Sequence, residues 1–116
     1  MFVRFDTNGV DGTAGANNNF NAPFDGRLKK IVFRSEAAAG STTFSFHKNG
    51  PGNGSLNPTA TASVTQTALA NTSLHVEFPS SAVFDDSEII GLKFDPTNSP
   101  GNVTITCVWE FDNYLD

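Results

Sequence analysis

The chain has 116 residues, of which Leu, Ile, Val and Phe make up one quarter, and only 16% are charged. That length supports one hydrophobic core and excludes a second, while the apolar share excludes a disordered chain. A formal net charge of −5, from 7 basic against 12 acidic residues, disfavours a phosphate-binding face, so nucleic acid is not an expected partner.

The residue types point to strands. Eleven Phe stand among Thr, Ser, Asn, Gly and Pro, with few strong helix formers. Each buried aromatic removes roughly 150–250 Å² from water, so Phe is expected to supply most of the core. No apolar run approaches the roughly 18–20 residues of a bilayer span, and no membrane partner is expected. No charged-then-apolar leader opens the chain. Met1 before Phe2 reads as a translation start, and the chain as a complete small gene product made in a cytosol.

Residues 1–116 read as a single domain, with 1–26 as an irregular N-terminal arm. Phe2 to Asp6 forms a first short strand, closed by Asn8-Gly9 and Asp11-Gly12. A polar segment, Thr13 to Asn19, leads to Phe20 and Phe24, where Pro23 restricts the chain to an edge or irregular structure. Arg27 to Ser35 alternates as a strand, Ile31 and Phe33 on one face and Val32 on the other. Ser41 to His47 returns with Phe44 and Phe46 inward. Asn49 to Gly54 is a loop, since Gly and Asn accept positive φ and Pro51 fixes the bend.

Thr59 to Thr67 alternates Ala60, Ala62 and Val64 against hydroxyls, and Ser73 to Phe78 turns Leu74, Val76 and Phe78 inward. Val83 to Asp86 is expected as a turn into Glu88 to Asp95, where Ile90, Leu92 and Phe94 share a face. After the loop Pro96 to Asn102, Val103, Ile105, Cys107, Trp109 and Phe111 fall on one face of the last strand and supply the firmest core. The spacing predicts an all-β fold, an antiparallel two-sheet β-sandwich of jelly-roll type with about eight strands.

Candidate chemistry is sparse. Asp6, Asn8 and Asp11 are spaced loosely like a calcium loop but lack the closing bidentate Glu, and Asn-Gly and Asp-Gly are ordinary turn residues. Asp85, Asp86, Glu88 and Asp95 are acidic, yet Asp is common in turns and nothing marks a cleft beside them. His47 and His75 are expected at the surface, without a Cys, Asp or Ser at the spacing of a triad or zinc site. Cys107, the only cysteine, is expected as a buried, inert thiol. The sequons at Asn53, Asn71 and Asn102 are expected by chance in so Asn- and Thr-rich a chain. No catalytic, cofactor-binding or metal-binding set is predicted, and the chain does not read as an enzyme.

Two features suggest an interface instead. Arg27, Lys29, Lys30 and Arg34 are four of the seven basic residues within eight positions. They read either as a solvated strand edge guarded by Lys or as a docking stripe for an acidic protein surface. Phe2, Phe20 and Phe24 lie in the irregular arm, and surplus apolar surface marks contact sites.

The segment Ile31 to Gly50, with Ala-Ala-Gly-Ser-Thr-Thr before Phe-Ser-Phe-His-Lys-Asn-Gly, resembles the jelly-roll domains of tailed-bacteriophage structural proteins. So does Phe94-Asp-Pro-Thr-Asn-Ser-Pro-Gly-Asn-Val-Thr-Ile-Thr-Cys-Val-Trp-Glu-Phe. The likeness is to capsid decoration (cement) proteins, head fibres and tail-fibre tips, and covers roughly residues 27–112. It implies a virion protein made in a host cytoplasm and placed on the capsid surface. Such proteins are often trimeric and bind the major capsid protein, with an arm such as that bearing Phe20 and Phe24 docking. A receptor-binding fibre tip and a small carbohydrate-binding module, the latter using Trp109 or Tyr114, are the alternatives.

Overall fold

Alternation of Phe, Ile and Leu with Ser, Thr and Lys places apolar side chains on one face of each extended segment, and two such faces close on each other. A computed structural model describes residues 2, 3, 10, 11 and 20–111. Their strands are β1 (Phe2–Val3), β2 (Val10–Asp11), β3 (Phe20–Asn21), β4 (Gly26–Ser35), β5 (Gly40–Asn49), β6 (Ala62–Ala68), β7 (Leu74–Glu77), β8 (Val83–Phe84), β9 (Ile89–Pro96) and β10 (Val103–Phe111). No helix occurs among the described residues.

The strands form a two-sheet antiparallel β-sandwich. The larger sheet runs β2-β1-β9-β5-β6, with β3 also on β9; the smaller runs β10-β4-β7, with β8 also on β4. β4 pairs with β10 in one sheet while β5 pairs with β9 in the other. The consecutive strands β4–β5 and β9–β10 therefore pass from sheet to sheet side by side, the wrapping of a jelly roll.

The core is an aromatic seam between the sheets. Phe33 of β4 meets Phe44 and Phe94 of the facing sheet at ring-centroid separations of 5.1 and 5.3 Å. Phe46 meets Phe84 at 6.0 Å and Trp109 at 6.3 Å. Leu28, Ile31, Val76, Ile90 and Leu92 complete it, all fully buried. Full burial of each such side chain stabilises by about 1.5–3 kcal/mol relative to exposure, so this seam outweighs any surface contact.

Strict alternation along β4 would turn Leu28 away from Ile31 and Phe33. Leu28 is nevertheless buried with them, because a β-bulge interrupts the ladder: Lys30 pairs with Val108, but Leu28 pairs with Trp109. Lys29 is the extra residue, and its carbonyl accepts the Phe78 N–H at 2.9 Å.

Three expectations need correction. Val103, Ile105, Cys107 and Trp109 share a face as expected but pack only half-buried against the core, because β10 is an edge strand of the smaller sheet. Phe111 at its end is exposed. The firmest core is instead on β4, β5 and β9. Val83–Phe84 is a strand beside Gly26 and Arg27, and the turn falls later, closed by Glu88 N–H to Asp85 O at 3.2 Å. Finally, β4 lies inside its sheet and is not a Lys-guarded edge.

Candidate functional site

The bulge leaves Arg27, Lys29, Lys30 and Arg34 on the outer side of β4, where they meet different neighbours. Arg27 and Lys29 both approach Glu110 of β10, with Nε–Oε1 and Nζ–Oε2 separations of 3.5 and 3.6 Å. The Arg27 Nε is buried and makes no hydrogen bond, so Glu110 serves it as an electrostatic neighbour only. Lys30 Nζ lies 3.5 Å from His75 Nδ1. Arg34, at the far end of β4 and opposite Thr104, is exposed. Two of the four basic residues therefore face a carboxylate, and the other two lie farther along the outer side of the strand.

Next to Glu110 in the chain, Phe111 forms an exposed aromatic pair with Phe24; the two are 43 and 53% exposed. The Phe24 ring stands edge-on to Phe111 at 5.9 Å, and Phe111 reaches buried Phe84 at 6.2 Å. Gly26, paired with both Phe84 and Phe111, makes this approach possible, since a Cβ there would lie 2.5 Å from the Glu110 carbonyl. The result is an aromatic centre anchored to the core and flanked by charge, the composition of a protein-contact surface. Phe2 of β1 pairs with Lys93 and Phe20 of β3 with Ile90, both along β9 of the larger sheet.

His47 is not at the surface. It points from the outer face of its sheet, yet is only 2% exposed. The 50–61 segment folds back over it, with Asn57 N–H bonded to Lys48 O and Thr61 N–H to Phe46 O. Asn57 O lies 2.8 Å from Nδ1, and Ser45 Oγ lies 2.9 Å from Nε2. A carbonyl can only accept, so Nδ1 carries the hydrogen and Ser45 donates to Nε2. This is the hydrogen-bond order of a serine–histidine dyad, but both side chains are buried, as in a satisfied polar pair of the fold. Ser45 was passed over as a partner, although i and i+2 share a face of a strand; Asn57 arrives through a loop and carries no such signal. Burial chiefly lowers the His47 pKa from its ordinary 6.5, and Lys93 adds to the lowering; the Asn57 bond and Asp95 oppose it.

The acidic residues after β8 organise their turn. Glu88 Oε1 accepts the Asp85 N–H at 2.6 Å, Asp25 Oδ1 the Asp86 N–H at 2.7 Å, and Asp86 Oδ1 the Ser87 hydroxyl at 2.6 Å. No group of three or more His, Cys, Asp or Glu could hold a metal ion among the described residues. Asp6, Asn8 and Tyr114 lie outside those residues. Burial pushes the Cys107 thiol up to about 11.

At the end of the smaller sheet remote from Phe111, a shallow polar depression is lined by Arg34, Ser35, Glu36, Asn71, Asn102 and Thr104. Its walls are tied by backbone bonds, Asn71 N–H to Ser35 O at 2.7 Å and Glu36 N–H to Asn102 O at 2.9 Å. No reading of single strands could find it, because its residues come from β4, β10 and the loops beside them.

No protein-family model, no curated protein and no solved structure matches the chain.

Proposed function

We propose that this domain is a structural virion protein of a tailed bacteriophage, a capsid decoration protein that binds the major capsid protein lattice and stabilises the shell. The sequence phrases of Ile31–Gly50 and Phe94–Phe111 support this reading by resemblance. The observation that carries it is the exposed aromatic pair Phe24 and Phe111 at the strand end that bears Arg27 and Glu110. Rigidly backed aromatics are the residues that dominate protein contacts, because little side-chain entropy remains to be lost on docking. The working part is then the sandwich surface, repeated on each copy of a trimer against neighbouring capsid subunits. Co-sedimentation of the purified chain with capsids tests it: saturable binding that weakens in a Phe24→Ser/Phe111→Ser double variant is expected. Absence of binding, together with absence of the chain from purified virions by mass spectrometry, would remove the proposal.

A further inference from the structure

We propose that β6 is a self-association edge, through which two copies of this chain pair antiparallel about a two-fold axis at Thr65 and join their larger sheets. The contact does not depend on the capsid-binding reading, and being two-fold it is distinct from any that joins three copies.

Four strands end the two ladders: β2 and β6 in the larger sheet, β10 and β7 in the smaller. The outer strand of a sheet leaves a row of backbone N–H and C=O groups unpaired, and proteins commonly block it with charge, Pro or a bulge. β2 includes Asp11, β7 ends in Glu77 and β10 carries Glu110. β6 has none of these guards. It contains no charged residue, Gly or Pro, and its pairing with β5 runs without a shift from Gly40↔Ala68 to Phe46↔Ala62. Among the described residues it has no second neighbour in its sheet.

Charge selects the occupant. The chain carries a net charge of −5, so two copies repel where their acidic surfaces meet. Residues 49–76, which include β6, hold no Asp, Glu, Lys or Arg. A strongly charged partner finds nothing to complement there, whereas a second copy meets no repulsion. The edge is also self-complementary. With Thr65 on the axis, Ser63 stands opposite Thr67 of the second copy, Val64 opposite Gln66 and Ala62 opposite Ala68. Ser63, Thr65 and Thr67 are exposed, and a hydroxyl pair of this kind already joins β6 to β5, where Thr43 meets Thr65 at 2.9 Å. Just beyond the strand, Leu69 is 59% exposed, the most exposed large apolar side chain among the described residues. The same register sets it opposite Thr61 of the second copy. Stable interfaces bury roughly 1,200–2,000 Å² in all and one short strand edge supplies less, so a dissociation constant of about 0.1–1 mM is expected.

The test is a concentration series of the 15N-labelled full chain, from about 20 μM to about 2 mM, read by amide shifts and by translational diffusion. Diffusion is expected to slow toward that of a dimer, with shifts concentrated in Thr61–Leu69. Thr65→Lys and Thr65→Glu, each at an exposed side chain, set two like charges on the axis and should each weaken association about tenfold or more. An equal mixture of the two should restore it, because the axis then joins opposite charges. Ser80→Lys, an exposed position outside β6, should leave association unchanged. Absence of concentration dependence, shifts centred on other residues, undiminished association in both folded Thr65 variants, or a mixture no tighter than either variant alone would overturn the proposal.

Discussion

Ser45 Oγ and His47 Nε2 stand 2.9 Å apart on the outer face of β5, and the Asn57 carbonyl on Nδ1 fixes which of them donates. The pair ties the 50–61 segment to the sheet beneath it.

Because burial lowers the His47 pKa, the unfolded chain takes up a proton more readily than the folded one. The contribution of this group is therefore fully present above pH 6.5 and is lost as pH falls from there through the folded value. Thermal unfolding midpoints measured between pH 8 and pH 5 should show this fall, after subtraction of the same curve for His47→Gln. A difference curve flat across that window would contradict it.

Ser45→Ala removes the hydroxyl that donates to Nε2 of a buried ring. The expected cost is about 1–3 kcal/mol in denaturant unfolding. Thr43→Ala, which breaks an exposed hydroxyl pair on the same face, should cost less than half as much.

The bulge at Lys29 makes an unusual pair of deletions informative. Removing Lys29 restores regular pairing and leaves Leu28, Ile31 and Phe33 all inward, at the loss of its bond to the Phe78 N–H. The deletion should remain folded by circular dichroism and two-dimensional NMR. Removing Val32 reverses the facing of one half of the strand against the other and should abolish folding.

Core and rim should separate cleanly in urea. Phe44→Ala and Phe33→Ala are each expected to cost about 3–5 kcal/mol, while Phe111→Ala, already half in water, should cost about 1 kcal/mol or less.

With its thiol pushed up to about 11 by burial, Cys107 carries almost no thiolate at pH 8. Reaction with a chromogenic disulfide should be slow in the folded chain and rapid in guanidinium chloride. Equal rates in the two states would place the thiol in solvent.

Much of the sandwich was legible because period-two alternation is local. Phe44 and Phe46, Ile90, Leu92 and Phe94, and Leu74 and Val76 all face as their spacing predicts. What depends on neighbours was not legible. Cys107 and Trp109 alternate perfectly, yet the edge position of β10 leaves them half-buried, and edge position is a property of pairing. Leu28 reads outward until the bulge at Lys29 is known. His47 reads outward correctly, but a loop of turn residues covers it. The interface candidates show the same limit: Arg27, Lys29, Lys30 and Arg34 are contiguous in sequence, while Glu110, which meets two of them, lies more than seventy positions later.

The most direct measurement is binding of the purified chain to capsids, quantified by co-sedimentation, for the native protein and for Phe24→Ser/Phe111→Ser. Saturable binding at a fixed number of copies per capsid subunit, lost in a double variant that remains folded, is the expected result. Binding that is absent in the native protein, or unchanged in the variant, would contradict docking through this aromatic patch.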